Sequence, residues 1–404
     1  MTAAAALARD GIETVVIERT AQPQTDWRAS TFHAGTLELL EEIDITHAML
    51  AEGLHVPRYQ FRDRRAGLIA EFDLSILADE TRFPYRLQLN QQRLVGLLWD
   101  RLRSDPHVAM RFGVEAISTR EVSDGVEVTV RTPSGVETLV GDYVIGADGA
   151  GSPVRKSIGT PFEGFTYEER FLIVSTPWDM RTMLPGIAEV NYVSDPEEWL
   201  FILRTPDAWR VLWPVPADVD DVTALSDAEI QRHLQGVARS EADYPIIDTQ
   251  LYRVHQRVAE SFRTGRVALI GDAAHVNSPV GGVGLNSGIH DAFDLTRRLA
   301  RILVNGSDPD EELDAFADVR RQVAIEYVQA DTQRNTDRLR ERDPELRRQS
   351  EHELQEIAAD PERARQWLRR VSLLESVRRF GIGLAPAETR SRLAAVLSDE
   401  HGSV

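Results

Sequence analysis

The sequence predicts an α/β (α+β) fold, in which parallel strands and helices are interleaved with a mainly antiparallel sheet and followed by a helical carboxyl-terminal region. Near the start, the helix formers "TAAAALAR" and Gly11 lead directly into the β-branched run "ETVVIER". In residues 191–216, "NYVSDPEEWLFILRTPDAWRVLWPVP", large apolar side chains occupy alternate positions in two runs on either side of "TPDA", as in an antiparallel hairpin. After residue 284 the pattern is mostly helical.

The composition is that of an acidic globular protein. The chain has 404 residues, a formal net charge of −19 and no cysteine. The negative charge argues against a nucleic-acid surface, and the lack of cysteine excludes disulfides and thiolate metal sites. The sequence contains no apolar run of the roughly 18 residues that a membrane span needs. We therefore expect a cytoplasmic protein.

Glu18 ends the first predicted strand. In a Rossmann-type unit, a carboxylate at the end of the second strand accepts both hydroxyls of a ribose. An exposed strand end followed by Arg19 explains these residues about equally well. The glycine loop that should precede the helix is absent, and Met1 stands just after its expected place. We therefore expect Met1 to be internal to a longer natural chain, and the missing strand to leave two unpaired strand edges.

The segment "GRVALIGDAAHVNSPVGGVGLNSGIHD", residues 265–291, carries the strongest chemical signal. Gly271 permits a turn after the buried strand "VALI", and Asp272 then projects where open α/β sheets bind ligands. The glycines around the following helix start are Gly281, Gly282, Gly284 and Gly288. The free N–H groups and the dipole of that helix favour negative charge on a ligand. This order of features predicts a binding site in preference to a plain glycine-rich loop.

A second buried strand ends similarly in "DYVIGADGAGSPVRKSIG", residues 142–159. The pair Asp148-Gly149 alone is a common turn. Because it follows a strand and precedes "SPVRKSIG", it predicts a segment that holds the phosphate and ribityl region of a dinucleotide. Arg155 is available there for charge.

Together these segments resemble the single-component FAD-dependent aromatic hydroxylases, the p-hydroxybenzoate-hydroxylase-like class A flavoprotein monooxygenases. Residues 265–295 are similar to the GD motif of that family, and "ADGAGSPVRKSIG" is similar to its DG motif. The runs "VVIER", "WRASTFHAGTLELL" and "NQQRLVGLL" resemble its ribose-binding strand end, its arginine-containing loop and its Gln-x-x-Leu helix start. The resemblance covers most of 1–160 and 250–325, and residues 163–250 carry no matching motif.

The resemblance implies a Rossmann-like FAD-binding domain interleaved with a substrate-binding β-sheet domain. The predicted FAD-binding domain comprises residues 1–56, 88–160 and 255–345. The predicted substrate domain comprises residues 57–87 and 161–254, and the predicted carboxyl-terminal helical region comprises residues 346–404.

The resemblance also implies cofactor contacts, residue by residue. They are Glu18 for the adenosine ribose, Arg28 and Gln91 for the diphosphate and ribityl chain, Asp148 near the dinucleotide, Asp272 for a ribityl hydroxyl, Pro279 beside the flavin ring, and the backbone and amide groups of Gly284, Leu285 and Asn286 at the pyrimidine edge. Reduced flavin is negatively charged at that edge, and a helix N-terminus stabilises such charge.

The implied reaction is reduction of FAD by NADH or NADPH, followed by capture of O₂ as a flavin hydroperoxide that hydroxylates an activated aromatic ring. This chemistry needs no metal, and the ten histidines show no metal-ligand spacing. Two alternatives remain: a related reductase, epoxidase or halogenase, and a flavin-poor relic that binds aromatic ligands without turnover. The choice of nicotinamide and the oligomeric state stay open, a homodimer being one compatible state.

Tyr192, Arg204 and Trp213 are the candidate substrate residues, because an aromatic pocket with one arginine suits an acidic phenol or a heteroaromatic acid. The alternative is that the alternating tryptophans form sheet core. Pro279 and His275 are the candidate catalytic residues. His275 could relay a proton, although a packed polar residue that supports the loop is the favoured interpretation.

Overall fold

The computed structural model describes residues 1–401, so positions 402–404 of the predicted carboxyl-terminal region lie outside the described residues. The α-helices are α1 (Thr2–Arg9), α2 (Ala34–Glu41), α3 (Thr46–Glu52), α4 (Gln91–Leu102), α5 (Pro153–Ser157), α6 (Asp221–Ala224), α7 (Asp227–Val237), α8 (Gly284–Asn305), α9 (Pro309–Val323), α10 (Ala330–Arg340), α11 (Pro344–Ala359), α12 (Pro361–Val371), α13 (Leu374–Phe380) and α14 (Pro386–His401). Helices α9 and α10 are joined by a π-helical segment, Ala324–Gln329.

The strands of residues 1–401 fall into five sheets. They are β1 (Thr14–Glu18), β2 (Thr31–Phe32), β3 (Leu54–Val56), β4 (Arg58–Asp63), β5 (Gly67–Asp73), β6 (Arg86–Gln88), β7 (Val108–Phe112), β8 (Glu115–Val122), β9 (Gly125–Thr132), β10 (Gly135–Gly141), β11 (Val144–Gly146), β12 (Phe162–Thr176), β13 (Val190–Ser194), β14 (Leu200–Arg204), β15 (Trp209–Val215), β16 (Asp248–Ala259), β17 (Arg263–Thr264), β18 (Val267–Leu269) and β19 (His275–Val276). The predicted α/β class is confirmed.

Two parallel strand pairs carry the predicted nucleotide-binding residues at their carboxyl ends. Strand β1 runs parallel to β7, and β11 runs parallel to β18. Among the described residues, β1 and β11 each pair with a single strand, so each keeps one unpaired edge, as predicted. Val15 of β1 is accordingly 58% exposed, which is high for a β-branched residue of such a strand.

Helix α8 packs against the turn that follows β18. A Cβ added at Gly288 would lie 3.1 Å from the Cα of Gly271, so the two backbones touch only because both residues are glycines. The alanine-rich helix α1 packs on the same helix, with Ala4, Ala5 and Ala6 buried. These small residues hold the beginning of α8 close to the carboxyl end of β18.

A large sheet of order β19-β16-β12-β15-β14-β13-β4-β5 forms the second part of the fold. The predicted hairpin is confirmed, since β14 and β15 are antiparallel with Arg204 opposite Trp209. The two faces of this sheet bury different clusters. Phe201 belongs to the cluster shared with the amino-terminal half of the chain, whereas Trp209 belongs to a separate cluster with helix α7. Only the first face adjoins the predicted nucleotide-binding unit.

The carboxyl-terminal helices pack against this sheet and are not an independent appendage. The Nε1 of Trp367, on α12, donates a hydrogen bond of 2.7 Å to the hydroxyl of Tyr59 on β4. Its ring also stacks on Phe72 of β5, with centroids 5.6 Å apart. Helix α12 therefore supplies a wall to the face of the sheet that adjoins the predicted site.

Glu80 anchors helices α12 and α13 to the rest of the molecule. Its carboxylate lies 2.6 Å from a guanidinium nitrogen of each of Arg365, Arg369 and Arg378, and its side chain is only 6% exposed. The hydrogen bond from Arg369 is the main reason that the pKa of Glu80 falls from 4.5 to about 2. The ionised carboxylate is thus the form that holds the helices.

We expect Glu80→Gln to lower the free energy of unfolding at pH 7 by about 1.5–3 kcal/mol, because three charged hydrogen-bond donors lose their anion. Since the pKa of Glu80 is lower in the folded state than in the unfolded state, its contribution to the free energy of unfolding is complete above about pH 4.5. That contribution is lost as the pH falls towards 2. Urea unfolding at pH 7 and pH 3 measures both effects. The control is Asp79→Asn, which removes an exposed partner of Arg365 and should change little.

Candidate active site

The two motifs predicted from sequence meet at the carboxyl ends of β11 and β18. The N–H of Ile270 donates to the carbonyl of Gly146 at 3.0 Å, extending the parallel pairing to the turn. The guanidinium of Arg155 then bridges the two segments, donating to the carbonyl of Ala273 at 2.7 Å and to that of Ala150 at 2.6 Å. The predicted convergence of segments 148 and 272 is confirmed. Arg155, predicted to supply charge, lies buried as a structural link.

Asp272 lies in a crevice at this junction. Its side chain is open to solvent, yet the surrounding protein desolvates it and raises its pKa, an effect that His275 and Arg28 oppose. A carboxylate that is enclosed but reachable is suited to accept hydrogen bonds from the hydroxyl groups of a ligand. The electrostatic influence of Arg28 also shows that its loop approaches the same crevice.

The carboxylates at the other two strand ends are partly engaged by the protein. Asp148 accepts hydrogen bonds from the hydroxyl of Ser152 and from the N–H of Val154 at 3.0 Å, which fixes the start of α5. Oε1 of Glu18 accepts from the N–H and the hydroxyl of Thr20, both at 2.9 Å. Each carboxylate has a second lone pair or oxygen left for a ligand hydroxyl.

Arg28 and Gln91 lie on neighbouring segments. The Arg28 side chain is 57% exposed and its guanidinium lies 3.6 Å from the carboxylate of Asp26. The backbone carbonyl of Arg28 accepts a 2.7 Å hydrogen bond from the guanidinium of the buried Arg210. Gln91 is the first residue of α4, and its N–H donates 2.9 Å to the carbonyl of Ala29. The loop and the helix start are therefore joined through the backbone, with the Arg28 guanidinium exposed and held, among residues 1–401, only by the exposed Asp26.

The start of α8 has no side-chain cap. Val283 occupies the N-cap position without a side-chain hydrogen bond, and the helix begins at Gly284 and runs for 22 residues. The first N–H groups of so long a helix favour a negatively charged ligand. The preceding Gly282 has φ +66, and a Cβ there would lie 3.0 Å from the Cβ of Thr31. This loop therefore needs glycine both for its backbone conformation and for space.

The structure corrects part of the expectation for Asn286. Its side chain is fully buried, with Oδ1 accepting 2.9 Å from the N–H of His33 and Nδ2 donating to the carbonyls of Thr31 at 2.8 Å and Gly282 at 2.6 Å. An amide with these bonds ties the helix to the loop and is not presented to a ligand. The backbone of Gly284, Leu285 and Asn286 remains at the helix end.

His275 is buried next to the site and is held by the surrounding protein. It is 1% exposed, its Nε2 lies 2.9 Å from Oδ2 of the buried Asp291, and its ring stacks on Phe262. These contacts give it the supporting role that the sequence favoured. Pro279 is half-buried, and its carbonyl accepts a 3.1 Å hydrogen bond from the N–H of Gly282. Pro279 therefore shapes the loop of residues 279–284 that leads into α8.

An aromatic recess is bordered by Gly281 and Val283 of the loop that leads into α8. Its empty space is about 330 Å³, including the part open to solvent. It is lined by Tyr59, Phe61, Arg86, Tyr192, Gly281, Val283, Asp331, Thr332, Asn335, Trp367 and Val371. Sequence reasoning singled out only Tyr192 and Gly281 among these residues. Val283 lies in the same loop as Gly281, and the others come from strands with no clear period and from helices that carry no motif.

The three predicted substrate residues do not meet. Tyr192 lines the aromatic recess, whereas Trp213 is completely buried on the opposite face of the sheet, stacked on His233 of α7. Arg204 pairs with Trp209, another member of that opposite face. The sheet itself therefore separates Arg204 and Trp213 from the recess, and their prediction as substrate residues was wrong.

Comparison with known proteins agrees with this geometry. The family described as "FAD binding domain" matches residues 1–331. The chain belongs to this FAD-binding family. The para-nitrophenol 4-monooxygenase of a Pseudomonas species is 30% identical over 371 residues, covering 90% of each chain. The 6-hydroxy-3-succinoylpyridine 3-monooxygenase HspB of Pseudomonas putida is 32% identical over 337 residues, covering 83% of this chain and 84% of that protein. The crystal structure of p-nitrophenol 4-monooxygenase PnpA from Pseudomonas putida has a TM-score of 0.87 at 27% identity, covering 93% and 94% of the two chains.

As a member of this FAD-binding family, the chain is an FAD-dependent aromatic monooxygenase, an oxidoreductase that uses NAD(P)H and O₂ on a small phenol-like substrate. The crevice suits FAD, because Asp272 offers an acceptor and a Cβ added at Gly149 or Gly151, after the neighbouring strand β11, would meet no atom within 4 Å. The reductase, epoxidase, halogenase and relic alternatives are not favoured.

Along residues 1–401, none of the helices is long and apolar enough to cross a bilayer. The same residues contain no group of three or more His, Cys, Asp or Glu that could hold a metal ion.

Proposed function

We propose that the crevice holds FAD through the residues that the family resemblance implies. The proposed contacts are Glu18 for the ribose, Arg28 and Gln91 for the diphosphate and ribityl chain, Asp148 near the dinucleotide, Asp272 for a ribityl hydroxyl, Pro279 beside the ring, and the backbone of Gly284, Leu285 and Asn286 at the pyrimidine edge. In support, the two motif strands end side by side and the helix start that follows them is uncapped. When bound, FAD supplies the reduction and the oxygen chemistry.

The protein contributes orientation, charge and exclusion of water. The dipole of α8 would favour negative charge at the ligand edge next to its first turn. The glycine loop, Pro279 to Gly284, would separate the crevice from the aromatic recess while keeping the two close. A substrate ring in the recess would then face the cofactor across this loop, away from bulk water.

We propose Asp272→Ala as a test of the cofactor contacts. The loss of one charged acceptor should weaken FAD binding by about 10-fold or more. Titration of FAD fluorescence measures the affinity, and Asp272→Asn should lose less because an amide oxygen still accepts. The control is Asp218→Ala, which removes an exposed carboxylate from the loop after β15. Unchanged FAD affinity in Asp272→Ala would remove this residue from the proposed set.

For the substrate, we propose a phenol that already carries a substituent para to its hydroxyl group. The names of the two relatives support this class, since position 4 of para-nitrophenol and position 3 of 6-hydroxy-3-succinoylpyridine are both substituted and para to the hydroxyl. The observation that carries the proposal is the aromatic recess, whose walls include Gly281 and Val283 of the same loop that leads into α8. Aromatic side chains form the kind of wall against which a planar ring packs.

The reaction balances for a leaving group such as nitrite. One phenol, one O₂, one NAD(P)H and one proton give the quinone, nitrous acid, water and NAD(P)⁺. The carbon–nitrogen bond breaks with its electron pair leaving on the nitro group, one oxygen atom of O₂ joins that carbon, and the other becomes water. NAD(P)H supplies the two electrons.

The test is a panel of para-substituted phenols assayed on the FAD-loaded protein. We expect 4-nitrophenol or 4-chlorophenol to accelerate NAD(P)H oxidation, with matching release of nitrite or chloride and appearance of the quinone. Phenol without a para substituent is the matched control for the leaving group. If NAD(P)H is oxidised without any oxygenated ring product across the panel, the proposed function is wrong.

We also propose the predicted domain division with one change. Strand β16 crosses the predicted boundary at residue 255 without a break, so we propose Ala259 as the end of the substrate domain. A cytoplasmic location is proposed from the lack of cysteine. A homodimer remains one compatible oligomeric state, and size-exclusion chromatography with light scattering tests it.

A further inference from the structure

Arg86, on β6, is a buried cation without an anion. It is 2% exposed and lines the aromatic recess. Forty-three ion pairs join side chains across the described part of the chain, and none of them includes Arg86. Since a guanidinium does not deprotonate in a protein, the charge persists in the fold.

Every described contact of Arg86 is with a neutral group. Its Nη1 donates 3.2 Å to the hydroxyl of Tyr192, and its guanidinium carbon lies 3.9 Å from the ring centroid of Tyr59. Its Nε is buried and has no hydrogen-bond partner. Burial raises the pKa of Tyr59, whose hydroxyl accepts from Trp367, so Tyr59 does not supply the missing negative charge.

The other titratable groups near the recess leave its positive potential in place. Asp331 also lines the recess, but it is held by Arg370 at 2.9 Å and by Arg334 at 3.3 Å, and burial raises its pKa. His33 lies between Arg86 and the glycine loop, and burial, followed by Arg86, lowers its pKa to about 3. His33 is therefore neutral at working pH and does not add to or cancel the charge.

A buried charge that lacks a partner is costly, and it is retained where a ligand completes it. We propose that Arg86 is the specificity-determining residue that binds the ionised oxygen of a phenolate substrate, with the ring packed among Tyr59, Phe61, Tyr192 and Trp367. This inference rests on the proposed function and adds the ionisation state of the substrate and the residue that selects it. A phenolate also has more electron density at its para carbon than a phenol, so the selection favours attack there.

The test compares Arg86→Met, which keeps the length and apolar volume, with Arg86→Lys, which keeps the charge. Wild type should bind 4-nitrophenol as its yellow phenolate at pH values below the solution pKa of the compound, visible by difference absorption without turnover. Arg86→Met should lose this shift and raise KM for 4-nitrophenol by about 10–100-fold. For 4-methylphenol, which stays protonated, the two proteins should differ little. Arg86→Lys should restore part of the spectral shift.

The control is Arg82→Met, four residues earlier, whose guanidinium is exposed and pairs with Glu41 outside the recess. A merely structural role for Arg86 would lower the melting temperature of Arg86→Met and leave the bound spectrum unchanged. A functional role predicts an undiminished melting temperature, because replacing a buried unpaired ion by an apolar residue is often neutral or stabilising.

Two results would overturn the inference: 4-nitrophenol bound in its protonated form by wild type, or unchanged KM for 4-nitrophenol in FAD-loaded Arg86→Met. Both leave hydroxylation itself intact. Failure of the proposed function is different, since wild type would then form no oxygenated product from any phenol, whether or not it binds the phenolate.

Discussion

Replacing Asp291 with alanine should lower the free energy of unfolding by about 3–5 kcal/mol, because the change leaves a buried guanidinium without its anion. Asp291, in α8, is completely buried, and its Oδ1 accepts a 2.7 Å hydrogen bond from Arg320, which is 1% exposed. Its Oδ2 also accepts 3.0 Å from the N–H of Gly271 and holds His275. The loss is large compared with a total stability of about 5–15 kcal/mol.

Urea unfolding at pH 7 measures this change, and the double variant Asp291→Leu with Arg320→Met is the decisive control. If the cost arises from the uncompensated charge, the double variant should recover much of the stability, since apolar groups can replace a buried pair. A loss in the single variant of less than about 1 kcal/mol would contradict the argument, because that is the range of an exposed pair.

The same carboxylate gives the protein an acid-sensitive component of stability. Burial alone would raise the pKa of Asp291, but Arg320 and His275 reverse this effect and hold the pKa well below its usual value. A lowered folded pKa means that the contribution is complete above the unfolded value of about 3.9 and is lost as the pH falls below it. The difference between wild type and Asp291→Ala should therefore narrow in acid.

Local sequence predicted the cofactor side of the site because its residues lie in continuous segments. Asp272 and Asp148 each follow a short strand that contains or precedes a glycine, β18 being buried and β11 half-buried, so these strand ends and turns can be predicted without tertiary contacts. The glycines that surround the start of the helical pattern likewise predicted a helix start with free N–H groups, and α8 begins uncapped at Gly284. The hydrogen bonds of the Asn286 side chain could not be predicted, because its partners at residues 31 and 33 are some 250 positions away in the sequence.

The substrate side could not be predicted in this way, because alternation orders residues within a strand but not between strands. Trp209, Val211 and Trp213 do share one face, as their spacing indicates. However, Tyr192 pairs with Phe201, which pairs with Leu212 and not with Trp213, so the tryptophans face away from Tyr192. This register depends on the loops between the strands.

Arg86 and Trp367 show a second limit. They line the same recess although they are separated by most of the chain, and Trp367 comes from an amphipathic helix with no motif. Arg86 lies in a segment with mixed aromatic and charged residues and no single period, so sequence alone gave no reason to expect it buried. The missing ion pair that distinguishes it is a property of three-dimensional packing.

Gly282→Val should reduce kcat/KM for the phenol substrate by about 100-fold while leaving the protein folded, because it displaces the loop between the crevice and the recess. Gly282 has φ +66, and a Cβ there would lie 3.0 Å from Thr31. A β-branched residue in this conformation costs about 1–2 kcal/mol or more in backbone strain. The carbonyl of residue 282 also accepts a 2.6 Å hydrogen bond from the side-chain amide of Asn286. A change in this loop therefore directly affects the start of α8.

The matched control is Gly306→Val, at the far end of the same helix. Gly306 has φ +71, nearly the same backbone conformation, but no atom within 4 Å of an added Cβ. Both variants should lose stability in thermal unfolding through the same backbone strain, and Gly282→Val should lose more because its side chain also meets Thr31. Only Gly282→Val should lose activity and bind FAD more weakly in a fluorescence titration. Equal activity in the two variants would mean that the conformation of this loop does not govern the alignment of cofactor and substrate.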